Sequence, residues 1–215
     1  MPTFAATSQA TSNITNGYAT LAELKARLII PTATTTYDDV LNVSIEAASR
    51  VIDEDTNRVF YGTTEARYYT PDDELSLFLE DDVTAVTQVR TLSAQGGGTR
   101  TYGFTWASTD YDLEPYSGPP YFRLIVNPTG RYVFPTIRRG IEVTGTYGYC
   151  GTGSHPRAIN EACLRMASRL FERNKAPLGV IATDMLSTRI ASTDAEYLAL
   201  IRPYRKMDMV VQAQW

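Results

Sequence analysis

Residues Ile141–Lys175, IEVTGTYGYCGTGSHPRAINEACLRMASRLFERNK, decide the fold, because they read as a strand, a glycine loop and a helix in immediate succession. Ile141, Val143, Gly145, Tyr147 and Tyr149 alternate with Glu142, Thr144 and Thr146, the period-two pattern of a strand with one buried face. Gly148, Gly151 and Gly153 break the alternation. Pro156 suits a first helical turn, where its missing N–H is no loss, and Ser154 or His155 reads as the cap. Ile159, Ala162, Cys163, Met166, Ala167, Leu170 and Phe171 then recur at helical spacing, an apolar stripe along about four turns.

Upstream, Thr20 and Glu23 make a capping box for a short helix carrying Leu21, Leu24 and Leu28, closed by Pro31. A second helix opens at Asp38 or Asp39 and puts Leu41, Ile45, Ala48 and Ile52 on one face, with the polar run Asp53–Arg58 marking its end. Both helices can pack against the Ile159–Phe171 stripe. Val59–Tyr149 differs in character: it holds most of the fourteen tyrosines and a series of β-prone runs, Ala66–Thr70, Leu75–Leu79, Val83–Leu92, Thr101–Trp106 and Tyr121–Val126. Gly96-Gly97-Gly98 reads as a hairpin tip and Ser117-Gly118-Pro119-Pro120 as a second turn. The expected class is therefore α+β, with a β-rich insertion between the second and third helices and no run of βαβ units.

Ala176–Ser192 lacks a clear period and reads as an extended connector. Thr193 and Glu196 form another capping box, leading a short helix with Leu198 and Ile201 that Pro203 disturbs. Met1–Gly17 is polar and aperiodic, the pattern of a disordered arm. The tail Tyr204–Trp215 ends on a tryptophan that either packs back on its own domain or docks into a partner.

A chain of 215 residues can bury a real core. It shows no apolar run of the ~20 residues a membrane helix needs and no signal-peptide pattern, so a cytoplasmic origin is the expectation. The net charge of −4 hides an asymmetry. Asp38–Asp82 carries thirteen acidic residues against three arginines, a net −10, whereas Arg123–Lys175 carries nine basic residues against three glutamates, a net +6. The two segments can pair within one chain, or one can meet the other on a neighbouring copy. Of twenty basic residues only Lys25, Lys175 and Lys206 are lysines, a bias that suits carboxylate pairing at interfaces.

Catalytic constellations are hard to assemble from this inventory. A triad needs a base, and His155, the sole histidine, stands at a helix start where capping or solvent exposure is the plainer role. Cys150 and Cys163 lack metal-ligand spacing and read as free small hydrophobes. Gly151-Thr152-Gly153-Ser154 precedes a helix but has neither a Walker lysine nor dinucleotide-binding spacing, so it reads as a loop that turns the chain. Asp72-Asp73-Glu74 and Glu80-Asp81-Asp82 bracket Leu75–Leu79 and read as turn charges or partners for arginines. Arg157, Arg165, Arg169 and Arg173, with Glu161, line the polar side of the main helix, either as a solvated face or as a stripe able to follow phosphates. Tyrosines in the β-rich segment allow a carbohydrate- or receptor-binding tail module as an alternative, although such a module would be β-rich throughout.

The segments YATLAELKARL, IEAASRVIDEDTNRVF, IEVTGTYGYCGTGSHPRAINEACLRMASRLFERNKAPLGV and LALIRPYR, taken in order, resemble the head-to-tail connector, or adaptor, proteins of tailed bacteriophages. The resemblance spans Tyr18–Arg205. Its most family-like features are Ala47-Ala48-Ser49 leading into Asp53 and Arg58, and Gly145–Gly148 followed by Pro156 and Ile159. It implies a small helical bundle core (18–58 and 150–203) carrying the β-rich insertion (59–149), flanked by an arm (1–17) and a tail (204–215). It further implies a virion protein of the capsid–tail neck, not an enzyme and with no cofactor, repeated as a ring of about twelve copies under the portal protein. Such a ring extends the DNA channel toward a stopper or tail-side neck protein, and DNA passes through without sequence-specific binding. The Val59–Tyr149 insertion is longer than the minimal helical members need.

Combined with the charge asymmetry, the resemblance makes the subunit contact a meeting of acidic and basic segments. The acidic partners would be Asp53, Asp72, Asp73, Asp81 and Asp82, and the basic ones Arg165, Arg169 and Arg173. The short amphipathic tail supplies the portal-binding candidates Tyr204, Arg205, Lys206, Met207 and Trp215.

Overall fold

The computed structural model describes residues 14–96, 99–175, 180–183, 186–189 and 195–206. The chain divides into two units. One holds residues 1–57 and 156–215 and the other, continuous in sequence, Arg58–His155.

In the first unit the helix α1 (Leu21–Arg27) starts on the expected capping box: Thr20 Oγ1 accepts from the Glu23 N–H, and the Thr20 N–H donates to Glu23 Oε2 at 2.8 Å. Helix α2 (Asp38–Thr56) buries Leu41, Ile45, Ala48 and Ile52 completely, and ends on Asn57 in the left-handed conformation that lets a polar residue close a helix. Across the molecule, helix α3 (Arg157–Lys175) packs along α2. Its stripe is buried at Ile159, Ala162, Cys163, Ala167 and Phe171, while Met166 and Leu170 are only half-buried and Leu164 joins the core instead. Ser49 and Cys163 meet at 3.5 Å, small side chains that let the two helices approach closely. Tyr37 sets the edge of its ring against Phe171, centroids 5.8 Å apart.

Pro156 itself takes the position before α3, its carbonyl accepting the Asn160 N–H at 3.2 Å, so the cap falls one residue after His155 and two after Ser154. Beyond α3, two strands, β9 (Val180–Thr183) and β10 (Leu186–Arg189), pair antiparallel within the segment expected to be an extended connector. Strands of four residues are too short for alternation to stand out in sequence. Helix α4 (Ala195–Ile201) buries Tyr197 and Ile201 and runs into a 3-10 turn at Arg202–Tyr204. Thr193, the expected cap, lies outside the described residues, as does Met1–Asn13 of the arm. The end of that arm is held: Thr15 N–H donates to Glu46 Oε1 and Arg50 to the Asn16 carbonyl, both at 2.9 Å.

The second unit is a six-stranded antiparallel sheet in the order β1 (Thr63–Tyr69), β8 (Ile141–Tyr147), β2 (Ser76–Thr91), β7 (Tyr121–Val126), β6 (Tyr111–Glu114), with β5 (Phe104–Trp106) paired to the far end of β2. A separate hairpin pairs β3 (Ala94–Gly96) with β4 (Thr99–Thr101), Gly96 opposite Thr99; Gly97 and Gly98, between them, lie outside the described residues. The expected run Thr101–Trp106 is thus split between β4 and β5, and β6 carries no sequence signal of its own.

Strand β2 is the largest departure from the sequence reading. It runs for 16 residues straight through Glu80-Asp81-Asp82, which had looked like a turn between two strands. Register shifts between Phe78 and Val83, Val83 and Ala85, and Val86 and Gln88 let it bend, and arginines neutralise two of the three carboxylates. Its apolar positions Leu77, Leu79, Val83 and Val89 join Leu124, Val126, Ile141, Val143 and Tyr147 in the core. Trp106 stacks there on Phe134 and Tyr132, at 4.8 and 5.5 Å.

Gly145 is required where β8 crosses the irregular part of β2, since a Cβ there would lie 2.4 Å from the Ala85 carbonyl oxygen. Gly145→Ala should lower stability by about 1–3 kcal/mol through backbone displacement, read in urea denaturation by the fluorescence of Trp106 in the same sheet. In the helical unit, Phe171→Ala should cost about 3–5 kcal/mol, measured by the loss of helical circular dichroism.

Candidate functional site

Charge pairing organises each unit, and half of the eight interface candidates, Asp53, Asp81, Asp82 and Arg165, belong to it. In the helical unit Glu161 accepts both oxygens' worth of hydrogen bonds from Arg27 Nη1, at 3.0 and 2.9 Å, and another from Arg165 Nε at 2.8 Å. Arg165 also pairs with Glu196 on α4. Two carboxylates and two guanidinium groups therefore tie α1, α3 and α4 together. Burial works to raise the Glu161 carboxyl, but the hydrogen bonds from Arg27 and Arg165 outweigh it and hold it below its ordinary value. Glu161 and Arg165 satisfy the i,i+4 pair anticipated on the helix face.

Asp53 is also engaged within its own unit. The Tyr18 hydroxyl donates to it, Arg50 approaches at 3.4 Å, and its side chain is 15% exposed. Burial raises its pKa, against the Tyr18 hydrogen bond and the Arg50 charge. Tyr18 is wholly buried; its N–H donates to Ser49 Oγ at 3.1 Å and its carbonyl accepts from Asn160 Nδ2 at 2.9 Å. Asp53 thus anchors the segment leading into α1. Cys163, in the same layer, has its thiol pushed up to about 11 by burial, which keeps it protonated and inert.

In the β unit Asp82 is buried, and both of its carboxylate oxygens accept from Arg58 Nη1 at 2.7 Å. The Arg58 guanidinium also lies 5.0 Å from the Tyr149 ring centre. Asp81 pairs with Arg67, whose Nε binds Glu65 at 2.6 Å and whose guanidinium stands 4.1 Å over the Tyr147 ring. Asp72 and Asp73 remain exposed, Asp73 accepting from Ser76 Oγ at 3.4 Å. Together with Arg67, Phe78, Glu80 and Asp81 they line an open groove of about 370 Å³.

On α3 Arg173 is exposed and Arg169 half-buried. Of the tail candidates, Tyr204, Arg205 and Lys206 are described, and the Lys206 N–H donates to the Thr56 carbonyl at 2.8 Å, which ties this point of the chain to the end of α2. Met207 and Trp215 lie outside the described residues. Sequence reasoning missed Lys25, which is 4% exposed; its ammonium pairs with Asp38 at 2.5 Å and donates to the carbonyls of Thr32 and Thr34. Only the spacing of Lys25 from Asp38 across a proline-containing loop could have hinted at it.

Among the described residues no group of three or more His, Cys, Asp or Glu side chains is placed to hold a metal ion, and no helix is long and apolar enough to cross a membrane. Both cysteines are free thiols. What the arrangement offers is ionic surface and rigid scaffolding.

No protein-family model and no curated protein matches the chain. Solved structures do match it in fold. A chain in the neck of an empty gene transfer agent particle, computed with C6 symmetry, is 19% identical with a TM-score of 0.59. A chain in the virion of the native particle is 18% identical at 0.60, and one in the neck of the native particle, computed with C12 symmetry, is 18% identical at 0.58. Each match covers 93% of this chain and 95% of the other.

The Glu161 network gives a pH dependence of definite sign. Its folded pKa is depressed, so its stabilisation is present above the ordinary value of 4.5 and is lost as pH falls through the lower folded value. Glu161→Gln should flatten the acid limb of a plot of melting temperature against pH and leave the neutral region nearly parallel to wild type.

Proposed function

We propose that this chain is a structural, non-enzymatic protein of a phage-like neck: a head-to-tail adaptor that forms a ring under the portal and extends the DNA channel toward the tail. The observation that carries the reading is the likeness in fold over 93% of the chain to chains of gene transfer agent particles, two of them described as necks. The likeness runs through helical and β segments alike, which favours a neck component over a β-rich carbohydrate- or receptor-binding module. The C6 and C12 symmetries of those necks favour a ring, of about twelve copies in the fuller symmetry.

In this reading the helical unit is the ring-forming core and residues 58–155 an insertion it carries, available to neighbours on the tail side. Subunit contacts draw on charges that the folded chain leaves exposed. Asp72, Asp73 and the rim of their groove are the acidic side, and Arg173, one turn beyond the half-buried Arg169, the basic side. Arg165, Asp53 and Asp82 serve the contact indirectly, by holding their own units in shape. Residues 204–215 are the portal-docking tail, directed by the anchored Lys206 backbone. The virion is the site of action, and the host cytoplasm the site of synthesis.

Native mass spectrometry of the purified chain, alone and with its cognate portal, tests this directly. A closed ring on the portal is the expected result; a chain that stays monomeric and unbound in both samples rejects the adaptor reading. Arg173→Glu should weaken ring formation by about tenfold or more, with unchanged circular dichroism. A ring of wild-type stability would remove this arginine from the contact.

A further inference from the structure

Ile29 stands immediately after the turn that closes α1, with φ +57° and its residue 91% exposed. The backbone geometry has a reason: the Ile29 N–H donates to the Ala26 carbonyl at 3.3 Å and the Ile30 N–H to the Lys25 carbonyl at 2.9 Å, a helix closure that needs a left-handed residue. Glycine is the residue that suits this position. A β-branched side chain there is a steric outlier, and at such exposure no packing among the described residues compensates it.

The connection carrying Ile29 is held firmly. The buried Lys25 ammonium pairs with Asp38 and donates to Thr32 at 3.3 Å and Thr34 at 2.9 Å, and the Thr34 N–H bonds the Pro31 carbonyl at 3.0 Å. An apolar side chain is therefore presented to solvent in a fixed position, the preorganisation that favours insertion into a partner.

We propose that Ile29 is an intersubunit knob that seats on the outward face of α2, at Val40, Val43 and Ala47, in a second copy of this chain. The proposal rests on the ring reading given above. A ring closed by rotation needs two different surfaces on every copy, one that gives and one that receives. Among the described residues of the helical unit the exposed large apolar side chains are Ile29, Val43 and Tyr37. Tyr37 packs on Phe171 within the chain, leaving Ile29 and Val43 as the two sides of a heterologous contact. Val43 is 60% exposed, with Val40 and Ala47 one turn to either side. The short Ala47 side chain leaves room for a knob, and the exposed Asp39 and Arg50 at the ends of the strip supply a polar rim.

Two variants of the full chain test the contact. Ile29→Gly relieves the left-handed conformation and removes the knob, so the two readouts should move oppositely. The melting temperature of the unassembled chain should rise by about 2–4 °C, while ring formation weakens by about tenfold. Ile29→Cys/Val43→Cys, assembled and then oxidised, should give a ladder of disulfide-linked multimers on a non-reducing gel. Either single variant, which retains Cys150 and Cys163, should give none. Undiminished assembly of Ile29→Gly, or an assembled double variant without a ladder, overturns this contact and leaves the ring reading intact. A wild-type chain that forms no ring with or without portal overturns both.

Discussion

The packing of α2 on α3 is the constraint on which the rest depends. These helices supply most of the helical core, yet the chain leaves the first at Asn57 and begins the second at Arg157, with the β unit between. They can meet only if that excursion returns to where it started. The β unit secures this by joining its own two ends: the Tyr149 N–H bonds the Val59 carbonyl at 2.7 Å, and Phe60 and Tyr149 pack with ring centres 5.4 Å apart. Gly148, at φ +138°, lets the outgoing strand pass Tyr61, whose carbonyl oxygen would lie 2.2 Å from any Cβ there. A domain whose ends are adjacent can be inserted into another with little loss of chain entropy.

Buried charge does the same work inside each unit. Arg58 at the start of the β unit binds Asp82 in the middle of β2, so the first residue after the helical unit is fixed to the central strand. Removing either partner would leave a charge stranded in a site nearly closed to water, a loss on the order of 3–5 kcal/mol. Lys25 performs the corresponding role in the helical unit, where one ammonium organises the turn between α1 and α2. Exposed pairs such as Arg165 with Glu196 add far less each, and matter through the network they complete.

The sequence was legible where one period ran long enough to rise above chance. The α3 stripe, the α2 face and the Thr20–Glu23 box all describe local geometry, and local geometry is what spacing encodes. It failed where the deciding partner was remote. Nothing near Glu80-Asp81-Asp82 indicates that Arg58 and Arg67 will neutralise two of these carboxylates and let β2 continue through them. The same blindness affected the candidate interface. Complementary charge in two segments was equally compatible with pairing inside a chain or between chains. The fold assigns Asp53, Asp81, Asp82 and Arg165 to internal pairs and leaves Asp72, Asp73 and Arg173 exposed.

That internal pairing bears on how a conduit for DNA would behave. Affinity for a phosphate backbone grows with the number of cations free to contact it, because each contact releases condensed counterions. Here Arg27, Arg58, Arg67, Arg90 and Arg165 are all held by carboxylates of their own chain, and the sequence as a whole stays at −4. In the proposed ring such copies would repeat a negative balance, with much of the arginine already occupied. Duplex DNA would meet a wall to which it has little electrostatic reason to adhere, the condition a passage needs and a sequence-reading protein avoids. On the proposed reading, the arginine bias of the chain would serve shape and assembly rather than nucleic-acid binding.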